Sequence, residues 1–438
     1  MPRLPRIDLA RFYRYAMPVT VAAIILILIA LGIWFLYLHE KQSVTDAVSA
    51  GRGLGTDVSS AFPGGSAYQN VVSAVSSVFG GGTSATSTPA GATKAAPQLW
   101  EVATAPAASI TFAKDGTSTV ARFLDAASGN IFDADPATSV IARRTKTLMP
   151  RIAQGAWYGE EGAVLRYEDN AGIETFSGSI NAATTTGSLS ATEAQALAAN
   201  GPGDLEGAML PRGILDLVAA SSSIFYIAPY NGEYAGTIAK PDGSDAKRIW
   251  TSPLAEWRAQ LAGNRILLVQ AASEGVTGSA YELGTDGSSS LVLANLPGLA
   301  ARENATTHAI LYSTVGGSGA ITLSVRASDG KVQTLPFATF ADKCAWDPAA
   351  PSVVYCAVPH AIPQGSVLPD AWYRGEVHFD DAIWRFDTAT GSVSQAYDPH
   401  AANRSLDILD PMVSPDGTYL AFRDAASGTG WVLRLTAK

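Results

Sequence analysis

The residues best suited to chemistry lie in one polar and aromatic segment, VLPDAWYRGEVHFDDAIW, which runs from Val367 to Trp384. Glu376, His378 and Asp380 alternate there, so on a β-strand they would share one face. Carboxylates and imidazole are metal ligands, but residues two apart on a strand lie about 6.6 Å from each other, too far for three of them to meet on one ion. We therefore predict no metal site and interpret the three residues as a solvated strand face or a binding loop.

The same segment contains Trp372, Tyr373 and Arg374, whose residue types dominate protein interfaces. We predict that the segment is a contact surface. The competing interpretation, which the sequence leaves open, is that Trp372 and Tyr373 pack the segment onto its own part of the fold. The predicted binding residues are Trp372, Tyr373, Arg374, Glu376, His378 and Asp380.

Cys344 and Cys356 are the only two cysteines of the chain. They flank the turn sequence PAAPS at positions that place them opposite one another on the arms of a predicted hairpin, where Cβ distances of about 4.5 to 5.5 Å permit bridging. Either a disulfide or two buried thiols fits this pattern. A soft metal site does not, because no further cysteine is present to complete it.

Known catalytic motifs are missing from the sequence. It contains no G-x-S-x-G nucleophile elbow, no H-E-x-x-H zinc motif, no P-loop and no C-x-x-C pair. Beyond His39, the histidines lie in different segments, and a lone histidine is more often a satisfied surface residue than a catalyst. These histidines are His308, His360, His378 and His400. We predict no catalytic residue and no cofactor.

The element that must position these residues is a repeated one. The last copy, PMVSPDGTYLAFRDAASGTGWVLRL, has an apolar pair, an Asp-Gly turn, an apolar strand, a second turn and another strand. Looser copies begin at Ser109, Gly155, Leu217, Trp257, Leu299 and Cys344. The copies start about 40 to 70 residues apart, near the length of a four-stranded propeller blade once two long insertions are allowed for. We predict an all-β fold, a β-propeller over residues 98–438 with seven blades, while six or eight stay open.

Both ends of this region contain part of a blade. The final copy runs out at Lys438, whereas LWEVA, from Leu99 to Ala103, forms a strand-like run ahead of the first copy. Propellers commonly close by letting one terminus complete the blade begun by the other, which removes two exposed strand edges. We predict that the Leu99–Ala103 strand pairs with the blade of residues 414–435.

Two motifs resemble a known family. The turn S-P-D-G from Ser414 to Gly417, and D-x-x-x-G from Asp387 to Gly391, look like the WD-like repeat of TolB-type bacterial propellers. The resemblance covers about residues 100–438, and only the last copy carries the full turn motif. It implies protein–protein contact in the cell envelope. An N-terminal membrane anchor departs from soluble periplasmic TolB, so the resemblance does not identify a partner.

That anchor is predicted from residues 17–38, which carry no charge and would span about 33 Å as a helix, enough to cross a bilayer. Four arginines and one aspartate precede the run within residues 1–16, an asymmetry that places the N-terminus in the cytoplasm and the rest outside. A cleaved signal peptide is the alternative, although its apolar run is usually only about 7 to 15 residues. Either way, we predict an extracytoplasmic propeller at the cell membrane.

Residues 39–97 are dominated by Ala, Gly, Ser, Thr and Pro, a composition that cannot offset its own ordering entropy. We interpret them as a flexible linker. Valines at helical spacing within residues 66–79 indicate a short amphipathic helix, or a transient helix within the linker.

Three functional hypotheses follow. The first is a non-enzymatic propeller that binds an unknown envelope protein, with the bilayer holding its N-terminal helix. The second is a propeller enzyme of lyase, lactonase or glycosidase type, with acidic residues converging from several blades on the central channel. The third is a sensor or structural subunit of an envelope machine. A nucleic-acid partner is not expected, because the net charge is −9 and no global basic field exists.

Overall fold

The computed structural model describes residues 97–435, except 170–171, 183–202, 274 and 318. Within them the chain forms seven antiparallel sheets of four strands each. Six sheets take their strands consecutively from the sequence, and the seventh combines the first strand with the last three. The chain is therefore a β-propeller with seven blades, as predicted.

The first complete blade contains β2 Ala107–Asp115, β3 Ser118–Asp125, β4 Ile131–Asp135 and β5 Val140–Arg143. The second contains β6 Ile152–Tyr158, β7 Gly162–Asp169, β8 Gly172–Ala182 and β9 Gly203–Met209. The third contains β10 Asp216–Ala219, β11 Ile224–Tyr230, β12 Glu233–Ala239 and β13 Lys247–Ser252. The fourth blade contains β14 Trp257–Ala262, β15 Arg265–Gln270, β16 Thr277–Gly284 and β17 Ser289–Pro297. The fifth contains β18 Ala300–Glu303, β19 Ile310–Val315, β20 Ile321–Arg326 and β21 Val332–Thr334. The sixth contains β22 Cys344–Trp346, β23 Val353–Pro359, β24 Asp381–Asp387 and β25 Val393–Tyr397. The closing blade contains β1 Leu99–Ala103, β26 Ile408–Val413, β27 Tyr419–Asp424 and β28 Gly430–Arg434.

The innermost strand of each blade lies next to the innermost strand of its neighbour. Strands β2, β6, β10, β14, β18, β22 and β26 begin their sheets, and contacts run between them or through adjoining strands and turns around the whole circle. Their early residues consequently meet at one end of the ring axis. This arrangement gives residues from distant parts of the sequence a common site.

The ring closes through β1, which pairs antiparallel with β28. Leu99 lies opposite Leu433 and Glu101 opposite Trp431. The N–H of Arg434 also donates to the carbonyl of Gln98 at 2.8 Å. The predicted closure is therefore confirmed, and its cause is the apolar pattern of LWEVA, which buries Leu99 against the last blade.

Blades are held together by apolar side chains on both faces of the middle strands. Residues 353–359, VVYCAVP, form a nearly continuous buried run, as expected of strands covered on both sides. Phe422 and Leu420 of β27 pack with Ile383 of β24 in one cluster between the last two blades. Each such side chain contributes about 1.5 to 3 kcal/mol through burial.

The S-P-D-G turn is built by side-chain hydrogen bonds. The Asp416 Oδ1 atom accepts from the Ser414 hydroxyl at 2.5 Å and from the Thr418 N–H at 3.1 Å. Gly417 has a φ of +72°, a conformation that favours glycine. These contacts explain why this copy retains the full motif.

The predicted cytoplasmic N-terminus, transmembrane helix, linker and helix 66–79 lie outside the described residues. Among the residues described, no helix is long and apolar enough to cross a membrane.

Candidate functional site

The predicted contact segment lies in a long connection between β23 and β24, which we call the insertion (residues 360–380). Its only regular element within the described chain is one short helix, α1 Asp370–Tyr373. Glu376, His378 and Asp380 lie in irregular backbone. The interpretation that these three residues share a strand face is therefore wrong, because the chain turns after α1 and β24 begins only at Asp381.

Trp372 is a structural residue of the insertion. Its side chain is only 5% exposed and packs in a cluster with Phe340, Phe379 and Leu368. The rings of Trp372 and Phe340 stack at a centroid distance of 5.1 Å. Trp372 therefore does not belong to an exposed contact surface, and the interpretation that it packs the insertion onto the fold applies.

A buried ionic cluster lies beneath Trp372. The Lys343 Nζ atom is 2.8 Å from Asp381 Oδ2 and 2.5 Å from Asp407 Oδ1, and all three side chains are almost completely buried. Burial raises the pKa of Asp381 to about 6, although Lys343 opposes the shift. The Trp372 indole N–H donates to Asp407, so the insertion is attached to this cluster.

The outer side of the insertion is polar. Arg374 and Glu376 form an exposed ion pair at 2.6 Å, and exposed pairs contribute little stability. His378 is 42% exposed while its Nδ1 atom lies 3.3 Å from Asp407 Oδ2. Asp380 is turned toward His360 and His400 instead. The predicted binding residues that are open to solvent are thus mainly Arg374, Glu376 and His378.

Tyr373 connects the insertion to the ring axis. Its hydroxyl donates to Asp342 Oδ2 at 2.7 Å. The Arg258 guanidinium lies 4.2 Å from the centroid of the Tyr373 ring and forms an ion pair with Asp342 at 3.2 Å. Burial, together with the charge of Asp342, raises the pKa of Tyr373 well above its usual value.

A second group of charges continues from there. Arg302 lies 3.8 Å from Asp342 and 3.4 Å from Asp410, and Arg423 lies 2.5 Å from Asp410. Desolvation raises the pKa of Asp410, but Arg423 and Arg302 outweigh it and hold that pKa below its usual value. Asp410 is 51% exposed and is the third residue of β26, an innermost strand. We call Arg258, Arg302, Asp342, Asp410 and Arg423 the axial network.

The axial network limits the chemistry available at this end of the ring. Asp342 and Asp410 are each bonded to two arginines. Asp216, the first residue of β10, differs from Asp410 in its pKa, which burial raises. Its Oδ2 atom accepts a hydrogen bond from the Ala259 N–H at 2.6 Å. Asp410 is a poor general base, since its arginines hold its pKa below the usual value. The ion pairs of Asp342 and Asp410 fix the positions of the arginines at this surface.

Sequence reasoning missed this network because its members come from four blades. One signal was available, because Arg258, Arg302 and Asp410 are the second or third residues of their innermost strands. Such positions meet at one end of any propeller axis. Because the sequence repeats resemble one another only weakly, the sequence did not show that these positions of different blades are equivalent.

Cys344 and Cys356 face each other across β22 and β23, in the register predicted. Their sulfur atoms are joined in a disulfide at 2.18 Å. Both residues are fully buried beside Val354 and Phe386. The bridge therefore lies inside the blade that carries the insertion.

These observations define the class of protein as a seven-bladed β-propeller. No family model and no curated protein matches the chain. Solved structures similar to it include YCF48 from Cyanidioschyzon merolae (9% identity, TM-score 0.48, covering 77% of this chain and 99% of that one) and the oligogalacturonate lyase from Vibrio parahaemolyticus (8%, 0.48, 77% and 93%). TolB from Acinetobacter baumannii is also similar (12%, 0.37, 74% and 78%). Likenesses of this size do not bear on function.

Proposed function

We propose that this protein is a non-enzymatic binding propeller, anchored by residues 17–38 and held outside the cytoplasmic membrane. It binds an envelope protein through the axial end that carries the insertion. The hydropathy and charge asymmetry of the N-terminus support the anchor and its orientation. The TolB-like turn motif supports a partner in the envelope.

The observation that carries the binding role is the axial network. Arg258 and Tyr373 are residue types that dominate binding energy at interfaces, and Arg258 is 50% exposed. Guanidinium groups have five N–H donors, so arginines bound to Asp342 and Asp410 retain donors for a partner. The three arginines exceed the two aspartates by one charge, which favours a partner segment that carries carboxylates or main-chain carbonyls.

The test is a crosslinking pull-down of the full-length protein from native membranes, read by mass spectrometry. Arg258→Ala is the informative variant, and Arg265→Ala is its matched control. Arg265 lies on the same blade at the opposite end, is 42% exposed and pairs with Glu282 at 2.9 Å. We expect one envelope protein to be lost with Arg258→Ala and kept with Arg265→Ala.

Equal recovery with both variants would contradict binding at the axial end. Recovery of no partner, combined with turnover of a polysaccharide or lactone by the purified protein, would support the enzyme alternative. The anchor is tested separately by alkaline carbonate extraction. The full chain should stay with the membrane and a chain lacking residues 1–38 should not, while protease added to spheroplasts should digest the propeller.

A further inference from the structure

Three strand ends of the sixth blade bring together a set of histidines and carboxylates outside the axial network. His360 directly follows β23, Asp380 directly precedes β24, and Asp398 and His400 follow β25. Because β23 and β25 both run antiparallel to β24, these positions share one end of the sheet. Residues separated by up to forty positions in the sequence therefore meet.

Three of these residues have the geometry of a metal site. One ligand atom from each of His360, Asp398 and His400 lies within 4.8 Å of the others. Ligands placed 2.0 to 2.1 Å from a tetrahedral ion stand about 3.4 Å apart. The His360 Nε2 and Asp398 Oδ2 atoms are already separated by 3.3 Å. The rings of His360 and His400 are parallel, so one of them would rotate for both to direct a nitrogen at the same ion.

The fourth residue, Asp380, holds both imidazole rings. Its backbone carbonyl lies 2.9 Å from His360 Nδ1, and its Oδ2 atom lies 2.6 Å from His400 Nε2. The two rings stack at a centroid distance of 4.4 Å with 5° between their planes. Carboxylate and carbonyl partners of this kind orient histidine ligands in metalloproteins.

Two further features of Asp398 and Asp380 bear on the site. The N–H of His400 donates to Asp398 Oδ1 at 3.0 Å, which leaves the other oxygen of Asp398 toward His360. Asp380 Oδ1 is inaccessible to solvent and has no hydrogen-bond partner among the described residues. A buried, unpartnered carboxylate oxygen is costly unless a cation compensates it.

We propose that His360, Asp398 and His400 bind one divalent first-row transition-metal ion, with Asp380 orienting the imidazoles. Imidazole with carboxylate suits zinc and its neighbours, whereas calcium and magnesium prefer all-oxygen ligands. The side chains are 31 to 50% exposed, so an ion can enter from solvent. The ion would join three strand ends of the blade that carries the insertion.

The test uses tag-free full-length protein in detergent, stripped with a chelator and titrated with Co²⁺, then with Zn²⁺ as competitor. We expect one Co²⁺ per chain with visible ligand-field absorption. His360→Gln and His400→Gln should weaken binding at least 100-fold, and Asp380→Asn about 10- to 100-fold. His308→Gln is the matched control, since His308 also pairs with a carboxylate, Glu303, at 2.8 Å, and it should bind as the wild type does.

A thermal scan of the metal-free variants verifies that each one is folded. Two results would overturn the proposal. One is the absence of Co²⁺ or Zn²⁺ binding by folded wild-type protein at 1 mM metal, since a Kd above about 1 mM is too weak for the site that we propose. The other is equal affinity in wild type and His400→Gln, which would mean that the histidines only form ion pairs with Asp380 and Asp398.

Discussion

The indole N–H of Trp372 lies 3.2 and 3.1 Å from the two carboxylate oxygens of Asp407. Asp407 in turn accepts from Lys343, whose ammonium also touches the faces of the Trp372 and Phe379 rings at about 5 Å. The aromatic side chains of Trp372 and Phe379 therefore attach the insertion to a buried cation shared by two blades. A partner that contacts Arg374 or Glu376 would therefore meet a surface that the buried Lys343–Asp407 pair fixes in position.

Replacing Trp372 with phenylalanine should loosen the insertion. An aromatic ring remains, although a smaller one, but Asp407 loses a donor in a buried setting, and we expect the free energy of unfolding to fall by about 1 to 3 kcal/mol. Urea unfolding measures it. Trp346→Phe is the control, because the Trp346 Nε1 atom has no hydrogen-bond partner in the described chain and should be replaceable at little cost. Equal losses in both variants would contradict the special role of Trp372.

Lys343→Met should be the most damaging of the single substitutions considered. Methionine fills a similar volume but leaves Asp381 and Asp407 buried without their cation, and removal of one partner from a buried ion pair costs about 3 to 5 kcal/mol. Lys331→Met provides the comparison, since Lys331 is 87% exposed beside Asp329 and should be nearly neutral. A denaturant midpoint for Lys343→Met equal to that of Lys331→Met would show that the cluster is not stabilising.

Asp410→Asn should reveal the electrostatics of the axial network through pH. Asparagine accepts the φ of +50° found at this position. The folded pKa of Asp410 is lowered, so its stabilisation is present above the unfolded pKa of about 3.9 and is lost as the pH falls through the folded value. With half the side chain exposed we expect at most about 1 kcal/mol, a thermal midpoint lower by roughly 1 to 3 °C at pH 7.

The midpoints of wild type and Asp410→Asn should approach each other progressively as the pH falls below about 4. Asp245→Asn is the control, because Asp245 has a φ of +55° and pairs with Lys240 at 2.7 Å on an exposed turn. A difference between wild type and Asp410→Asn that is as large at pH 3 as at pH 7 would mean that it comes from packing rather than charge.

Removal of β1 should open the ring. A chain beginning at Thr104 lacks the strand that covers the edge of β28, including buried Leu99 and Val102, whereas a chain beginning at Ala85 keeps it. We expect a loss of several kcal/mol, at about 1.5 to 3 kcal/mol for each buried apolar side chain, and self-association through the free edge. Urea unfolding and light scattering measure the two effects. Identical behaviour of the two chains would argue against closure by β1.

The fold could be predicted from the sequence where a pattern is local. The strand-like run Leu99–Ala103 ahead of the first copy identified the closing strand, and equal spacing on either side of a turn set the Cys344–Cys356 register. The burial of Trp372 could not be predicted in the same way. An aromatic residue in a polar segment suits an interface and a core equally. Its burial depends on residues distant in the sequence, Phe340 and Asp407, which the fold brings to Trp372.

The candidate sites depend on residues brought together by the ring. Arg258 and Asp410 lie on different blades, and nothing in their immediate neighbours marks them. His360 and His400 each looked solitary, although His360 directly follows β23 and His400 is the third residue after β25, and both strands flank β24. Reading the chain blade by blade, with strand ends aligned, would have paired the two histidines.

Closure by β1 also has a mechanical consequence. The polypeptide that precedes the propeller enters it at Leu99, so a pull on that polypeptide is borne first by a five-residue strand. The main-chain hydrogen bonds between β1 and β28 are therefore the first contacts of the ring to bear that pull. The strand β1 thus closes the ring and is also the element through which a pull on a tether would reach the blades.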